Sequence, residues 1–276
     1  LRGRVVKLGG AIDTILTQHA YPPSVARLLA EATALAAALG SALKFDGVFT
    51  VQTKGDGPIQ LLVADVTSDG AIRAYAQFDE ARVAQAEKKA PLLGAGTLVF
   101  TVDQKASDER YQGVVALEGD SLTEAFQVYF RQSEQIPTGL VVASRQDEAG
   151  HWHAGCLMLQ QMPREGGHEI MTDTAAVDDW HRVMMLMQTC TPEELTDPAL
   201  AAEDLLFRLF HEEGVRVFEA KAFRHECRCS RERLAGILAS MDEVERTSLI
   251  VDAKIDVTCQ FCSRVYSFPE EEIKSL

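Results

Sequence analysis

FTVQTKGDGPIQLLVADVTSDGAIRAYA, residues 49–76, is written as three strands and two turns. Phe49 to Gln52 and Ile59 to Val66 have strand character, and Gly55-Asp56-Gly57-Pro58 between them supplies the residues that turns demand. Asp69-Gly70 marks a second turn, after which Ile72 to Ala76 returns. Strands that follow one another with so little chain between them predict a largely antiparallel sheet.

The pattern extends on both sides. Thr97 to Val102 and Tyr111 to Leu117 are two more β-rich runs, the first preceded by a turn at Gly94-Ala95-Gly96. Ser121 with Glu124 fits a capping box, and Ala125, Phe126, Tyr129 and Phe130 continue at helical spacing. Leu140 to Ser144 and Gly155 to Gln160 read as a closing pair of strands. Upstream, Pro22 and Pro23 precede the most apolar run, Val25 to Leu43, which contains Arg27, Glu31 and Gly40 and is mostly Ala and Leu. That composition predicts a buried helix and not a membrane span. The fold class is α+β, a largely antiparallel sheet core with helices over residues 1–173. A helical linker (174–222) and a small C-terminal module (223–276) follow.

The linker is short helices. Thr174 to Met187 carries Trp180, Val183, Met184 and Met187 on one face. Thr191-Pro192-Glu193-Glu194 is a helix start with proline at the first position, and Asp197-Pro198 repeats the device. Leu205, Leu206, Leu209 and Phe210 extend the apolar stripe to Gly214, a C-terminal stop. Two readings are open at this point. The helices are packed on the sheet as a subdomain, or they form a mobile segment that can release its apolar face.

Four of the six cysteines come in two tight pairs, Cys227-Arg-Cys229 and Cys259-Gln-Phe-Cys262. Thiolates are soft ligands suited to a tetrahedral zinc ion, and a two-residue spacer lets one turn offer two sulfurs to one metal. The spacing predicts one zinc per chain, held by Cys227, Cys229, Cys259 and Cys262, with a helix beginning near Ser230 between the pairs. Val257 to Tyr266 reads as a strand-turn-strand knuckle. Arg228, Arg231 and Arg233 stand near the site and can offset its negative charge. His225 is a weaker substitute ligand. Cys156, in an apolar strand, and Cys190, at a helix end, read as packed thiols, and His151 and His153 as surface or packing residues. Oxidising a ligand pair to a disulfide removes the metal and unfolds a metal-dependent module. Spacing alone leaves such a switch and a purely structural zinc ribbon equally open.

Composition narrows the functions. The chain has 276 residues, a formal net charge of -14 and a pI near 4.9. So acidic a body repels phosphate backbones. Residues 223–276 carry 8 Lys/Arg against 10 Asp/Glu, which weakens the competing reading of a zinc ribbon that binds nucleic acid. Paired cysteines in a chain this long point to metal or redox work in a reducing cytoplasm. The sequence has no Walker-type or dinucleotide glycine motif, no serine elbow and no paired-histidine zinc motif, since His211-Glu212-Glu213 is followed by Gly214 and Val215. Nothing argues for an enzyme.

The cysteine segments, Cys227-Arg-Cys229-Ser-Arg-Glu-Arg233 and Val257-Thr-Cys259-Gln-Phe-Cys262 with Tyr266 and Phe268 after them, resemble the heat shock protein 33 family of bacterial redox-regulated chaperones. The resemblance runs through His19-Ala-Tyr21-Pro22, Leu43-Lys-Phe45-Asp-Gly47, Gly55-Asp-Gly-Pro58, Glu109-Arg-Tyr-Gln-Gly113, Leu117-Glu-Gly-Asp120, Ser133-Glu-Gln135 and Arg208-Leu-Phe-His-Glu-Glu213. It implies an ATP-independent holdase of the cytoplasm, with a substrate-binding core, a linker and a zinc redox module. It implies that the reduced protein holds zinc and is inactive. Oxidation to Cys227–Cys229 and Cys259–Cys262 then expels zinc, unfolds the module and loosens the linker. Apolar surface that includes Trp180, Met184, Leu205, Leu206, Leu209 and Phe210 then binds unfolding client proteins, often with homodimerisation. No nucleic acid or membrane partner is implied.

Overall fold

The computed structural model describes residues 1–86, 92–105, 110–117, 121–162 and 174–275. The expected boundary at Asp173 and the motif residues Glu109 and 118–120 lie outside the described residues. The chain divides into two units, Leu1–His225 and Glu226–Leu276.

The first unit opens with β1 (Arg2–Leu8), α1 (Gly10–Thr17) and α2 (Pro23–Ala42), followed by β2 (Gly47–Gly55), β3 (Ile59–Thr67), β4 (Ala71–Phe78) and α3 (Glu80–Ala86). Next come β5 (Gly96–Gln104), β6 (Arg110–Leu117), α4 (Leu122–Tyr129), β7 (Thr138–Gln146) and β8 (Trp152–Gln160). Three helices, α5 (Thr174–Gln188), α6 (Pro192–Thr196) and α7 (Ala202–Phe210), precede the two-residue β9 (Arg224–His225).

The strands form a six-stranded sheet in the order β6-β5-β2-β3-β4-β9 and a three-stranded sheet in the order β1-β8-β7. All pairs are antiparallel except β4 with β9. The meander read from residues 49–76 is therefore present, and β2 runs three residues past Gln52 because Thr53, Lys54 and Gly55 all pair with β5. Gly70 lets β9 join the edge of this sheet. Its φ is +89°, and a Cβ there would lie 2.5 Å from the Ala222 carbonyl oxygen.

The Ala/Leu helix α2 is the centre of the unit. It packs against strands of both sheets, which is why thirteen of its residues are buried. Among the described residues it is the one helix long and apolar enough to cross a membrane, and its apolar surface is spent inside the protein. Small alanines let two sheets approach one helix closely, and each leucine buried there contributes roughly 1.5–3 kcal/mol. Thr33 stays satisfied in that core by donating to the Leu29 carbonyl at 2.7 Å.

Strand β8 is buried on both faces. Trp152, Ala154, Cys156 and Met158 point to the α2 core. Leu157 and Leu159 alternate with them and join Ala143, Val5 and Val141 in a second cluster. Helices α5, α6 and α7 cover that outer face with Val183, Met187, Cys190, Leu195, Leu205, Leu209 and Phe210 buried, and with Trp180, Met184 and Leu206 partly so.

The helix start read at Thr191-Pro192 is present, and Thr191 also makes a capping box with Glu194. Asp197-Pro198 does not start a helix. Asp197 accepts instead from the Ala199 amide at 2.8 Å, and α7 begins later, behind Ala201, with no side-chain cap. Strand β1 and helices α1 and α3 are elements the sequence pattern did not reveal.

The second unit contains α8 (Arg231–Ser240), α9 (Glu243–Ser248), the hairpin β10 (Lys254–Thr258) with β11 (Val265–Pro269), and α10 (Glu270–Ser275). Its core is small, with Leu238, Ile255, Phe268 and Ile273 buried.

Candidate metal centre

The second unit builds its site from two turns. In the hairpin, Val257 pairs with Tyr266 and Thr258 with Val265, which leaves residues 259–264 as the tip. That tip is closed by two backbone bonds, Cys259 N–H to the Arg264 carbonyl at 2.9 Å and Ser263 N–H to the Cys259 carbonyl at 2.8 Å. Ser263 takes a left-handed conformation, φ +56°, to allow it. The turn presents Cys259 and Cys262 on one side. The other pair lies just before α8, whose N-cap Ser230 accepts from the Arg233 amide. This is the helix expected near Ser230.

The four sulfurs Cys227, Cys229, Cys259 and Cys262 all lie within 4.8 Å of one another. Cys227 Sγ is 3.7 Å from Cys259 Sγ, and Cys229 Sγ is 3.5 Å from Cys262 Sγ. A tetrahedron with metal–sulfur bonds of about 2.3 Å has edges of about 3.8 Å, so the donor set fits one thiolate-bound ion. All four are free thiols and half-buried, open enough for small oxidants to reach. His225 is not part of the cluster.

Burial works against ionisation in this cluster. Burial opposes ionisation at Cys229, yet the Tyr266 hydroxyl and the neighbouring thiols outweigh it and bring that thiol down to about 7. Burial pushes Cys262 up to about 12 and raises Cys227. A cation among the sulfurs would favour the thiolate form of each.

The basic residues divide differently from expectation. Arg231 turns away from the sulfurs: it pairs with Glu272, donates to the Ser267 carbonyl at 2.7 Å and lies over the Phe268 ring. Arg264 is the guanidinium whose field reaches Cys229 and Cys262. Tyr266, quoted from the sequence without a role, has its hydroxyl 3.2 Å from Cys229 Sγ. Only the hairpin register could have shown this contact.

The other singled-out residues fall elsewhere. Cys156 is fully buried in β8, where burial pushes its thiol up to about 12, and Cys190 is buried after α5. His153, in β8, meets Asp147 of the β7–β8 turn at 3.0 Å, and His151 lies 3.6 Å from the same carboxylate. Trp180, Met184, Leu205, Leu206, Leu209 and Phe210 come together in the single cluster over the three-stranded sheet.

Comparison with known proteins agrees with these features. The profile of the family described as Hsp33 protein matches residues 1–269. A 33 kDa chaperonin of Caulobacter vibrioides is 41% identical over 276 residues, covering 96% of this chain and 90% of the relative. One from Pseudomonas fluorescens is 35% identical, covering 100% of this chain and 89% of the relative. The crystal structure of a 33 kDa chaperonin from Thermotoga maritima superposes with a TM-score of 0.80 at 22% identity, over 99% of this chain and 92% of that one. It shares the fold. From the full-length match and these identities, the chain belongs to the Hsp33 family of stress-related chaperones.

Proposed function

We propose that this chaperone is an ATP-independent holdase of the cytoplasm, switched on by oxidation of its four-cysteine centre. The observation that carries the reading is four thiols within 4.8 Å of one another in a unit whose own core is four buried apolar residues. So small a core gives little stability unless cross-linked. A zinc ion bound there would hold the sulfurs as thiolates and tie the turn at Cys259–Cys262 to the segment before α8.

The sulfurs carry the switch. Two thiolates give two electrons to a peroxide, which takes two protons from solvent and leaves as two waters, and a disulfide forms. A disulfide sulfur is no longer a thiolate ligand, so each pair that closes removes two of the four donors, and the unit loses its cross-link. We assign the pairs as Cys227–Cys229 and Cys259–Cys262. In the reduced cluster, sulfurs of different pairs also approach to 3.5 and 3.7 Å. Proximity therefore does not choose the partners; the short chain between sequence neighbours does, once the unit opens.

The apolar face that clients would meet is the one between α5–α7 and the three-stranded sheet, which includes Trp180, Met184, Leu205, Leu206, Leu209 and Phe210. These helices form the linker, residues 174–222, between a chaperone core at 1–173 and the redox module at 223–276. Short helices are weakly stable alone and depend on packing, so they are the segment most easily released. Released apolar surface binds unfolding proteins, and a second copy would cover part of it in an active homodimer.

The test is metal content and suppression of aggregation of a heat-denatured client, measured on one sample before and after peroxide. The proposal expects one zinc per reduced chain with no suppression, then suppression with zinc released. Peptide mapping should find the two neighbour disulfides. Equal suppression in both states, or mainly Cys229–Cys259 cross-links, contradicts it.

A further inference from the structure

We propose that Tyr266 is a positioning residue of the cysteine centre, whose hydroxyl donates to the Cys229 sulfur and slows that sulfur's oxidation. The inference deepens the redox reading above and rests on it.

The geometry is a two-way choice for one hydrogen. The Tyr266 oxygen lies 3.2 Å from Cys229 Sγ and 3.3 Å from the Cys229 carbonyl oxygen. The field of the Arg264 guanidinium reaches the Tyr266 hydroxyl, and a guanidinium has no acceptor for the hydroxyl's single hydrogen, which is left for Cys229. A thiolate has no hydrogen to offer and is a stronger acceptor than a carbonyl. While Cys229 is a thiolate, the hydroxyl therefore points at sulfur. When Cys229 is in a disulfide, the carbonyl is the better acceptor and the hydroxyl turns to it. The ring is held for this by position. Tyr266 pairs with Val257 in the hairpin and packs beside the Leu238, Ile255, Phe268 and Ile273 core.

Other sulfurs have donors of a different kind. At Cys262 and Cys227 the groups that favour the thiolate include backbone ones, of Arg264 and Cys229, which most substitutions leave in place. Tyr266 is a side-chain donor and so an adjustable one. Donors of this kind around a ligand tune the ligand's electron density.

Oxidation of Cys229 by a peroxide forms an S–O bond as the O–O bond breaks, giving a sulfenic acid and hydroxide. The Cys227 thiolate then attacks that sulfur, the S–S bond forms, and a second hydroxide leaves; solvent protonates both. The first step needs a free sulfur lone pair, and a donated hydrogen bond withdraws density from it. Rates of thiolate attack follow that density with a fractional Brønsted slope.

The experiment compares the full chain with Tyr266→Phe, and with Arg264→Leu as a second variant that touches no ligand side chain. Each is loaded with cobalt for spectroscopy and with zinc for peroxide kinetics, in which loss of each thiol is followed by quench and peptide mapping. Tyr266→Phe should keep one tetrahedral cobalt per chain and shift the sulfur-to-cobalt charge-transfer band to longer wavelength. It should speed early loss of Cys229 by about threefold, with a smaller change at Cys259. Arg264→Leu should move both readouts the same way by less. An unchanged band with unchanged Cys229 kinetics overturns the assignment. Equal acceleration at all four sulfurs also overturns it, because that marks a loosened unit. If the parent chain takes up no tetrahedral cobalt, the metal-centre reading fails and takes this inference with it.

Discussion

Gly155 faces α6 from the middle of β8. A Cβ there would sit 2.6 Å from the Leu195 carbonyl oxygen and 2.7 Å from its Cγ, so Gly155→Ala should push α6 off the sheet. Overpacking of this kind costs about 1–3 kcal/mol. Denaturant unfolding should show that loss, and faster amide exchange should be confined to residues 192–210. An unchanged midpoint would mean that α6 yields freely. At the sheet edge, Asp69 is held down at about 2, first by the Thr67 hydroxyl and then by Arg224. The folded value lies below the ordinary carboxylate value, so the contribution is present above that ordinary value and fades as pH falls toward about 2. Acidification over that window should release Arg224–His225 from β4 while β2–β5 stay paired, as read by NMR of the strand amides. Residues of this scale were unevenly legible. The four cysteines announce themselves by spacing, because a ligand set needs only soft donors close together. Tyr266 does not, because its meeting with Cys229 depends on the hairpin register opposite Val257 and on a turn that brings residue 229 beside it.

Elements explain which face is available to be released. Helices α5, α6 and α7 are fastened to the sheet by apolar burial and by a few polar contacts. Lys7 on β1 donates to the Glu194 and Leu200 carbonyls at 3.1 and 2.6 Å, and Arg145 on β7 donates to the Thr196 hydroxyl at 2.8 Å. Replacing Leu206 and Leu209 by serine should loosen this cover. Leu209 is buried, and losing a buried leucine costs about 2–5 kcal/mol. The double variant should suppress client aggregation partly under reducing conditions, with zinc retained, and amide exchange over residues 177–213 should rise. If exchange rises and the variant stays inactive, release of these helices is not the gate. The stripes themselves were readable at i, i+3, i+4 spacing, and so was the helix start at Thr191-Pro192. The start of α7 was not, because Asp-Pro serves equally as a helix cap and as a turn in which the carboxylate bonds an amide two residues on. Strand β1 was hidden because Arg2, Arg4 and Lys7 break its apolar pattern; Lys7 is there to reach the helices.

For the molecule as a whole, a unit with a large core and a unit with a small one share a chain. The first has two sheets around a largely buried helix, and the second, among the described residues, has four buried apolar side chains and four clustered sulfurs. The antiparallel meander and the buried Ala/Leu helix were legible because short turns and unbroken apolar runs have few other solutions. The placing of that helix between two sheets was not, since it depends on long-range pairing of β1 with β8. The central claim is that oxidation of the cysteines opens the small unit and the helical cover, and nothing else. Hydrogen exchange of the zinc-loaded and peroxide-treated protein, followed segment by segment, tests it directly. The account predicts lost protection over residues 226–275 and 177–213, with β2 to β5 and α2 as protected as before. Loss in the small unit with residues 177–213 unchanged, or loss spread evenly through both sheets, would contradict it.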